Sequence, residues 1–337
     1  MSITEFGLIE KYFYKRTINR KDVALGIGDD CALLNMPEGQ QLATTTDTLV
    51  EGVHFLSCVT PEDLAWKAIA VNVSDLAAMG AEPAWLSLSI TLPEVDNHWL
   101  EAFSKSFFDY ANYYGLQLIG GDTTSGPLSI TIQAMGFVPP HSASFRSGAK
   151  PGDLIYVTGN IGDAGLGLAI LTGKHHTESK QHAAYLMDRF NRPTPRVAIG
   201  IALRQIASAA IDISDGLAGD LPHLLDASKA GAIIDLDSLP LSESLLAECN
   251  FEQAIEYALS SGDDYELCFT VPEDKIKQLE KALESTTCRF TKIGRVTGGK
   301  KIQFTEKGQK VDLQLSGYLH FKPDKLNPNC TPPLSDV

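Results

Sequence analysis

The sequence predicts an α/β protein, α+β in its detail, folded as two lobes. Three observations carry this. Strand-like apolar runs alternate with stretches of helical period in both halves of the chain. The length of 337 residues suits two ordinary domains, each able to bury its own core. Between the halves lies Pro139 to Asp153, rich in Pro, Ser and Gly, which reads as a linker. The expected divisions are residues 1–140, a linker over 141–153, a second lobe over 154–321 and a tail over 322–337.

In the first half, Phe6, Leu8, Ile9, Tyr12 and Phe13 recur at helical spacing, so residues 3–14 predict a short helix. Leu42 to Asp47 reads as a strand of threonines and small apolar residues that ends in a carboxylate. Thr60-Pro61-Glu62-Asp63 is a helix start: a capping hydroxyl, a first-turn proline, then acids at the positive end. That helix is expected to run to about Met79 and carries Asp75 near its end. A strand over Trp85–Leu92, a long helix over Glu94–Tyr114 and a short strand over Leu116–Ile119 follow. The last leads into a Gly120-Gly121-Asp122 turn, and Leu128–Val138 is another strand. In the second half the expected strands are 154–157, 210–213, 232–236, 265–271, 289–296 and 301–305. The expected helices are 163–172, 181–190, 195–208, 217–229, 251–259 and 273–284.

Bulk composition narrows the function classes. The chain is 44% hydrophobic and carries a net charge of −14. Nucleic acid and anionic lipid both want a basic surface, so neither is an expected partner. None of the six cysteines forms a C-x-x-C pair, which gives no sign of a zinc ribbon or redox motif; buried free thiols in a reducing cytoplasm are the expectation. The N-terminus shows no apolar signal region, and no stretch approaches about 18 uninterrupted apolar residues. A cytoplasmic location without membrane contact is expected.

The informative pattern is acidic. Aspartates stand beside glycine or threonine at the edges of apolar runs: Gly28-Asp29-Asp30, Thr44-Thr45-Thr46-Asp47-Thr48, Gly120-Gly121-Asp122-Thr123-Thr124, Asp212-Ile213-Ser214-Asp215-Gly216 and Gly262-Asp263-Asp264-Tyr265-Glu266. Hard divalent cations want anionic oxygens, and a polyphosphate needs such a cation to approach an acidic wall. Each motif also has a plain structural reading. Asp47 suits a strand-end turn, Gly120-Gly121 a tight turn, and Ser214 or Asp215 a helix cap. Asp29 and Asp30 repel each other unless a cation, solvent or a basic side chain stands by. Asp75 is harder to explain that way, because Ala68, Ile69, Val71, Val73, Leu76 and Ala77 surround it on an apolar helix, with Asn72 on its face. Asp212 likewise lies inside an apolar strand. Arg146, in the linker, is placed to touch a phosphate or simply to face solvent. The Gly159–Gly167 run lacks the lysine of a P-loop and the dinucleotide spacing; it either lines a phosphate or opens a helix packed on a strand. Histidines are scattered, which favours Mg²⁺ over Zn²⁺.

Together these stretches resemble the thiamine-monophosphate kinases, from Phe6 to about Phe321. The most specific is Asn72-Val73-Ser74-Asp75-Leu76-Ala77-Ala78-Met79-Gly80-Ala81. It is joined by Leu25–Ala32, Thr46–Val50, His54-Phe55, Lys67-Ala68, Gly120–Thr123, Arg146–Ala149, Asp212–Leu217 and Gly262–Leu267. The shorter motifs are shared with a wider superfamily that includes aminoimidazole ribonucleotide synthetase, selenophosphate synthetase and a hydrogenase maturation factor. The resemblance implies an N-terminal lobe that pairs with a second copy to form an intersubunit β-barrel, and a layered α/β C-terminal lobe. It implies ATP and several Mg²⁺ in an N-terminal cleft, and transfer of the γ-phosphoryl group to thiamine monophosphate. By position, Asp30, Thr45, Thr46, Asp47, Asp75, Asp122, Asp212 and Asp215 are implied metal ligands. Gly121, Asp122, Arg146 and Ser214 are implied to contact ATP, and His54, Asp263 and Tyr318 the thiamine substrate. Thr45 stands where the family often has Ser, and Asp263 where Glu is common.

The chemistry suits that reaction. Two anions must meet in line, so their repulsion has to be cancelled, and a carboxylate wall holding Mg²⁺ does so. The acceptor is already an oxyanion, so no catalytic base is expected. The other readings are a different ATP-using synthetase of the superfamily and a non-catalytic Mg-nucleotide or thiamine-phosphate sensor. No cysteine precedes the first glycine motif, which disfavours selenophosphate synthesis.

Overall fold

The computed structural model describes residues 5–14, 16 and 18–313. Tyr318 and the expected tail lie outside the described residues. The chain opens with α1 (Glu5–Ile9), continued by a π-helical turn over Glu10–Tyr14. A small hairpin of β1 (Val23–Leu25) and β2 (Leu33–Leu34) follows. Then come β3 (Gln41–Val50), α2 (Pro61–Ala78), β4 (Glu82–Leu92), α3 (Asn97–Tyr113), β5 (Gln117–Ser125) and β6 (Ser129–Val138). The order across the resulting four-stranded sheet is β3-β6-β4-β5, with β3 and β5 at its edges.

One face of this sheet is covered and the other is not. Leu86, Leu88 and Ile90 of β4 and Ile130, Ile132 and Ala134 of β6 point to α2 and α3 and form the first core with Phe103, Phe107 and Leu100. The alternate residues of the same strands are Ser87, Ser89, Thr131 and Gln133, which are half-buried or exposed. The hairpin covers one end of this second face, where Trp85, Met135 and Phe137 pack with Val23 and Leu34.

Helix α2 forms because Thr60 accepts from Asp63 N, Pro61 fills the first turn and apolar residues fill the rest. It is apolar nearly all round because it is buried on both sides, between β3 and β6 of its own lobe and β8 and α6 of the other. Helix α3 is capped by Asp96, which accepts from His98 N and Trp99 N. Residues 139–153 contain no helix or strand.

The second lobe runs β7 (Leu154–Thr158), α4 (Asp163–Leu171), α5 (Lys180–Asn191), α6 (Val197–Ala202), β8 (Ala209–Ile213), α7 (Leu217–Ser228) and β9 (Gly231–Asp235). It continues with α8 (Glu243–Glu248), α9 (Phe251–Ser260), β10 (Glu266–Val271), α10 (Ile276–Leu283), β11 (Phe290–Thr297), β12 (Ile302–Glu306) and β13 (Gln309–Val311). Seven strands pair in the order β13-β12-β9-β11-β7-β10-β8. Both faces are buried over its middle: Ile155, Val157 and Ile211 face one core with α7 and α9, while Leu154, Tyr156 and Phe269 face another with α6 and α10. The layered α/β lobe expected from the sequence is therefore present. The expected helix over 195–208 is shorter: it closes at Ala202, and turns over 203–206, with Gln205 left-handed, take the place of its second half. The five described cysteines are free, Cys249 and Cys268 buried and Cys31 and Cys58 exposed. Among the described residues no helix is long and apolar enough to cross a membrane.

Candidate active site

Three carboxylates from three elements meet where the lobes join. Asp75 comes from α2, Asp47 from β3 and Asp212 from β8. Thr45 Oγ1 donates to Asp75 Oδ2, so the strand and the helix are tied side chain to side chain. One turn earlier Asn72 Oδ1 accepts from Asp47 N at 3.1 Å, while its Nδ2 donates to Ala68 O at 3.0 Å. Ser74 Oγ donates to Asp212 Oδ2 at 2.7 Å across the lobe boundary. A cleft of about 450 Å³ opens on this cluster and is also lined by His54, Ser214, Asp215, Asp263 and Tyr265.

Crowding of acids in a dry site raises their affinity for protons. Burial, with Asp75 as neighbour, pushes Asp47 up to about 6. Burial also raises Asp75, with partial relief from the Thr45 hydrogen bond and the Arg146 charge. Asp212 is pushed to about 8 by burial and then by Asp75. Asp220, one turn into α7, is pushed to about 7 mainly by burial. A cation that replaced those protons would relieve the same repulsion, and the donors are hard oxygens, so the residues fit Mg²⁺. Among the described residues no three carboxylate, imidazole or thiol groups already stand as a preformed ligand set.

The alternation of β3 divides the expected ligands. Thr45 and Asp47 pair with Ala134 and Ile132 and so face α2. Thr46 pairs with Gln133, on the open face, and is exposed. Asp122 pairs with Ser89, also on the open face, and lies on β5, the opposite edge. Three strand spacings of about 4.8 Å put the two edges roughly 14 Å apart. Asp30, Gly121 and Asp122 instead line a second cavity of about 670 Å³, between the Gly28–Ala32 loop and β5, with Ile9 and Phe13. Within one chain the acids thus form two groups, one at each cavity.

The remaining expected residues fall as follows. His54 lines the first cleft and its Nδ1 accepts from Val50 N at 3.0 Å, which leaves Nε2 as the protonated nitrogen of a neutral ring. Arg146 is exposed; its charge reaches Asp75 and Asp220, and Ser228 Oγ donates to its carbonyl at 3.0 Å. Neither Ser214 nor Asp215 caps α7. Their backbone N–H groups each donate to Asp220 Oδ2 at 2.9 Å, which folds the loop back and leaves both side chains on the cleft. The Gly159–Gly167 run opens α4, but Gly162 N and Ala164 N point at the fully buried Asp264 carboxylate (2.7 and 3.4 Å). That helix start is already filled by an acid of its own, which burial pushes well above the ordinary carboxylate range.

Sequence reasoning assigned no role to Asp220, Tyr265 or Lys67. Asp220 reads as an ordinary first-turn acid, and only its reach back to Ser214 and Asp215 distinguishes it. Tyr265 lines the cleft from a left-handed backbone that no composition rule anticipates. Lys67 is the one detectable case: a charged residue on the same apolar helix as Asp75, which asks for the same kind of explanation.

Comparison with known proteins gives this geometry a context. Residues 28–138 match the family model "AIR synthase related protein, N-terminal domain", and residues 150–307 its C-terminal counterpart. The chain is 55% identical over 322 residues to the thiamine-monophosphate kinase of Escherichia coli K12, covering 95% of this chain and 99% of that protein. It is 37% identical over 331 residues to that of Bacillus subtilis, covering 94% and 99%. A crystal structure of thiamine-monophosphate kinase from Stenotrophomonas maltophilia superposes with a TM-score of 0.83 at 44% identity, covering 92% of this chain and 99% of that one. A structure described as AaThiL complexed with AMPPCP and TMP superposes with a TM-score of 0.74 at 35% identity, covering 95% and 97%. Similarity of this extent, covering both lobes and nearly the whole chain, means that the chain belongs to the thiamine-monophosphate kinase family.

Proposed function

We propose that the interlobe cleft transfers the γ-phosphoryl group of ATP to the phosphate of thiamine monophosphate, giving thiamine diphosphate and ADP. The observation that carries this reading is the Asp47–Asp75–Asp212 cluster. Three acids held above their ordinary range in one cleft form a wall that repels phosphate on its own and attracts it once a divalent cation is bound. The relative bound to AMPPCP and TMP supports the same pair of substrates.

Each part of the chain has a task in this reading. Asp47, Asp75 and Asp212, with Thr45 and Asp215 beside them, would hold Mg²⁺ at the first cleft; Asp30 and Asp122 would do so at the second, with Thr46 on the open face. A cation held by these residues would supply charge neutralisation for the phosphate oxygens of donor and acceptor. Gly121, Arg146 and Ser214 would contact ATP, Arg146 supplying a positive charge at the lobe boundary. His54 and Asp263 would contact the thiamine substrate, and Tyr318 is carried over for the same role. No side chain needs to remove a proton, because the acceptor oxygen is already anionic. Catalysis is then alignment and charge neutralisation.

The sheet supports an assembly: among the described residues β3 and β5 pair with no further strand on their outer sides, and Ser87, Ser89 and Thr131 lie on the second face, so a second copy that closed an intersubunit barrel would cover both. We extend the reading to a homodimer and to the cytoplasm. The test is incubation with ATP, Mg²⁺ and thiamine monophosphate, followed by chromatography. Thiamine diphosphate with matching ADP is expected. ATP consumed without that product would overturn the reading in favour of another synthetase.

A further inference from the structure

Lys67 is a charged residue that stability alone does not account for. It lies on α2, and Val71 and Asp75 follow at four-residue intervals, so all three share one stripe of the helix. Val71 and Asp75 line the first cleft. The Lys67 side chain is 3% exposed. Its Nζ lies 2.8 Å from Asp263 Oδ1, yet among the described residues it makes no hydrogen bond of acceptable angle. Charge rather than direction holds that pair. On its other side the ammonium sits 3.6 Å from the centroid of the Phe190 ring. A buried ammonium with unfilled donors costs desolvation energy, and an apolar side chain of similar length would pack there at less cost. Its retention calls for a use.

Asp263 supplies one. It comes from the second lobe, so the pair crosses the boundary, and its carboxylate keeps 29% exposure on the cleft. Its backbone is left-handed (φ 70°), as is that of Tyr265 (φ 51°), a conformation costing about 1 kcal/mol or more for each such residue. The turn is over-determined on every side. Asp263 N donates to Ser214 O at 2.9 Å, Tyr265 N to Ile213 O at 2.8 Å, and Asp264 is anchored at the start of α4. The backbone is thus fixed, and the Asp263 carboxylate is faced by the Lys67 ammonium.

We propose that Lys67 is a positioning residue for the acceptor substrate: its buried ammonium locks the Asp263 carboxylate in the one orientation that binds the thiamine moiety. The proposal rests on the reading of Asp263 as a thiamine contact. In this arrangement Lys67 acts through Asp263, so its removal acts on acceptor affinity and spares the transfer step.

The test uses the full chain with Mg²⁺, measuring thiamine monophosphate binding by calorimetry in the presence of a non-hydrolysable ATP analogue, alongside kcat and KM. Lys67→Met is expected to weaken thiamine monophosphate binding roughly tenfold and to raise its KM in step, with kcat and analogue affinity nearly unchanged. Lys67→Arg, which keeps the charge, is expected to restore most of the affinity. Lys67→Met placed on Asp263→Asn is expected to add no further loss, since the group it orients is already altered. If Asp263→Asn weakens acceptor binding and Lys67→Met does not, the proposal is overturned while the reading of Asp263 stands. If Asp263→Asn itself leaves acceptor binding unchanged, that reading fails and the proposal with it. Equal losses of acceptor and analogue binding in Lys67→Met also overturn it, as would the absence of any rescue by Lys67→Arg in a folded protein.

Discussion

Ser74 Oγ donates a 2.7 Å hydrogen bond to Asp212 Oδ2, and through this contact α2 of one lobe grips β8 of the other. Both residues are buried, Ser74 at 0% and Asp212 at 5% exposure. The hydroxyl is the group that lowers the proton affinity of Asp212 against burial and the Asp75 charge, which raise it. Ser74→Ala should therefore remove a structural tie and make the carboxylate harder to ionise. The expected loss of stability is about 1–2 kcal/mol, read from urea unfolding. Mg²⁺ titration should show weaker binding in the same variant, with the deficit shrinking as pH rises.

Asp47→Asn and Asp75→Asn separate catalysis from folding. Each removes a charge from a cluster in which the acids raise one another. Turnover should fall by at least a hundredfold, because charge neutralisation is the larger part of the rate enhancement in this reading. The metal-free protein should keep its melting temperature or gain a few degrees, since like-charge crowding is relieved. Retained turnover in both variants would remove the carboxylate wall from the mechanism.

The pH dependence has a defined sign. Folded Asp47, Asp212 and Asp220 hold protons up to about 6, 8 and 7, whereas the unfolded chain releases them near 3.8. Between these values the folded state binds more protons than the unfolded one, so stability falls as pH rises. These three groups should make the metal-free protein progressively less stable from about pH 4 to pH 8. Mg²⁺ held by Asp47 and Asp212 would displace their protons and should stabilise most at the upper end. Thermal melts at pH 5.5 and pH 8, with and without Mg²⁺, check this: the Mg²⁺-induced gain should be several degrees larger at pH 8.

Much of this was legible in the sequence, for reasons that differ by residue. Asp75 was readable because a carboxylate among apolar helical neighbours has few options, and Thr45 and Asp47 complete its surroundings. The start of α2 was readable because Thr60 and Pro61 act through local geometry. Strand β3 was read as ending at Asp47, yet it continues to Val50; the alternation of exposed threonines with inward Thr45 and Asp47 is a strand signal that the polar composition masks. The hairpin β1–β2, helix α8 and strand β13 were not anticipated, being two to six residues long, too short for a periodic pattern. The split of the acids into two cavities depends on strand order and register, which are long-range properties that motif spacing does not encode.

Gly120 and Gly121 give the sharpest test of that register. Read as a turn, the pair would tolerate similar substitutions at both positions. Instead both lie inside β5, which pairs in parallel with β4. A methyl group on Gly120 would meet nothing within 4 Å, whereas one on Gly121 would lie 1.8 Å from Leu88 O. That obstacle is the backbone of the central strand, which cannot turn aside as a side chain does. Gly120→Ala should be nearly silent, within about 0.5 kcal/mol in urea unfolding. Gly121→Ala should force β5 off β4, costing about 3 kcal/mol or more and displacing Asp122 at the second cavity. Nucleotide affinity should fall with it in whatever fraction remains folded. Equal tolerance at the two positions would place this segment in a turn after all, and with it the expected ATP contacts of Gly121 and Asp122 would have to be redrawn.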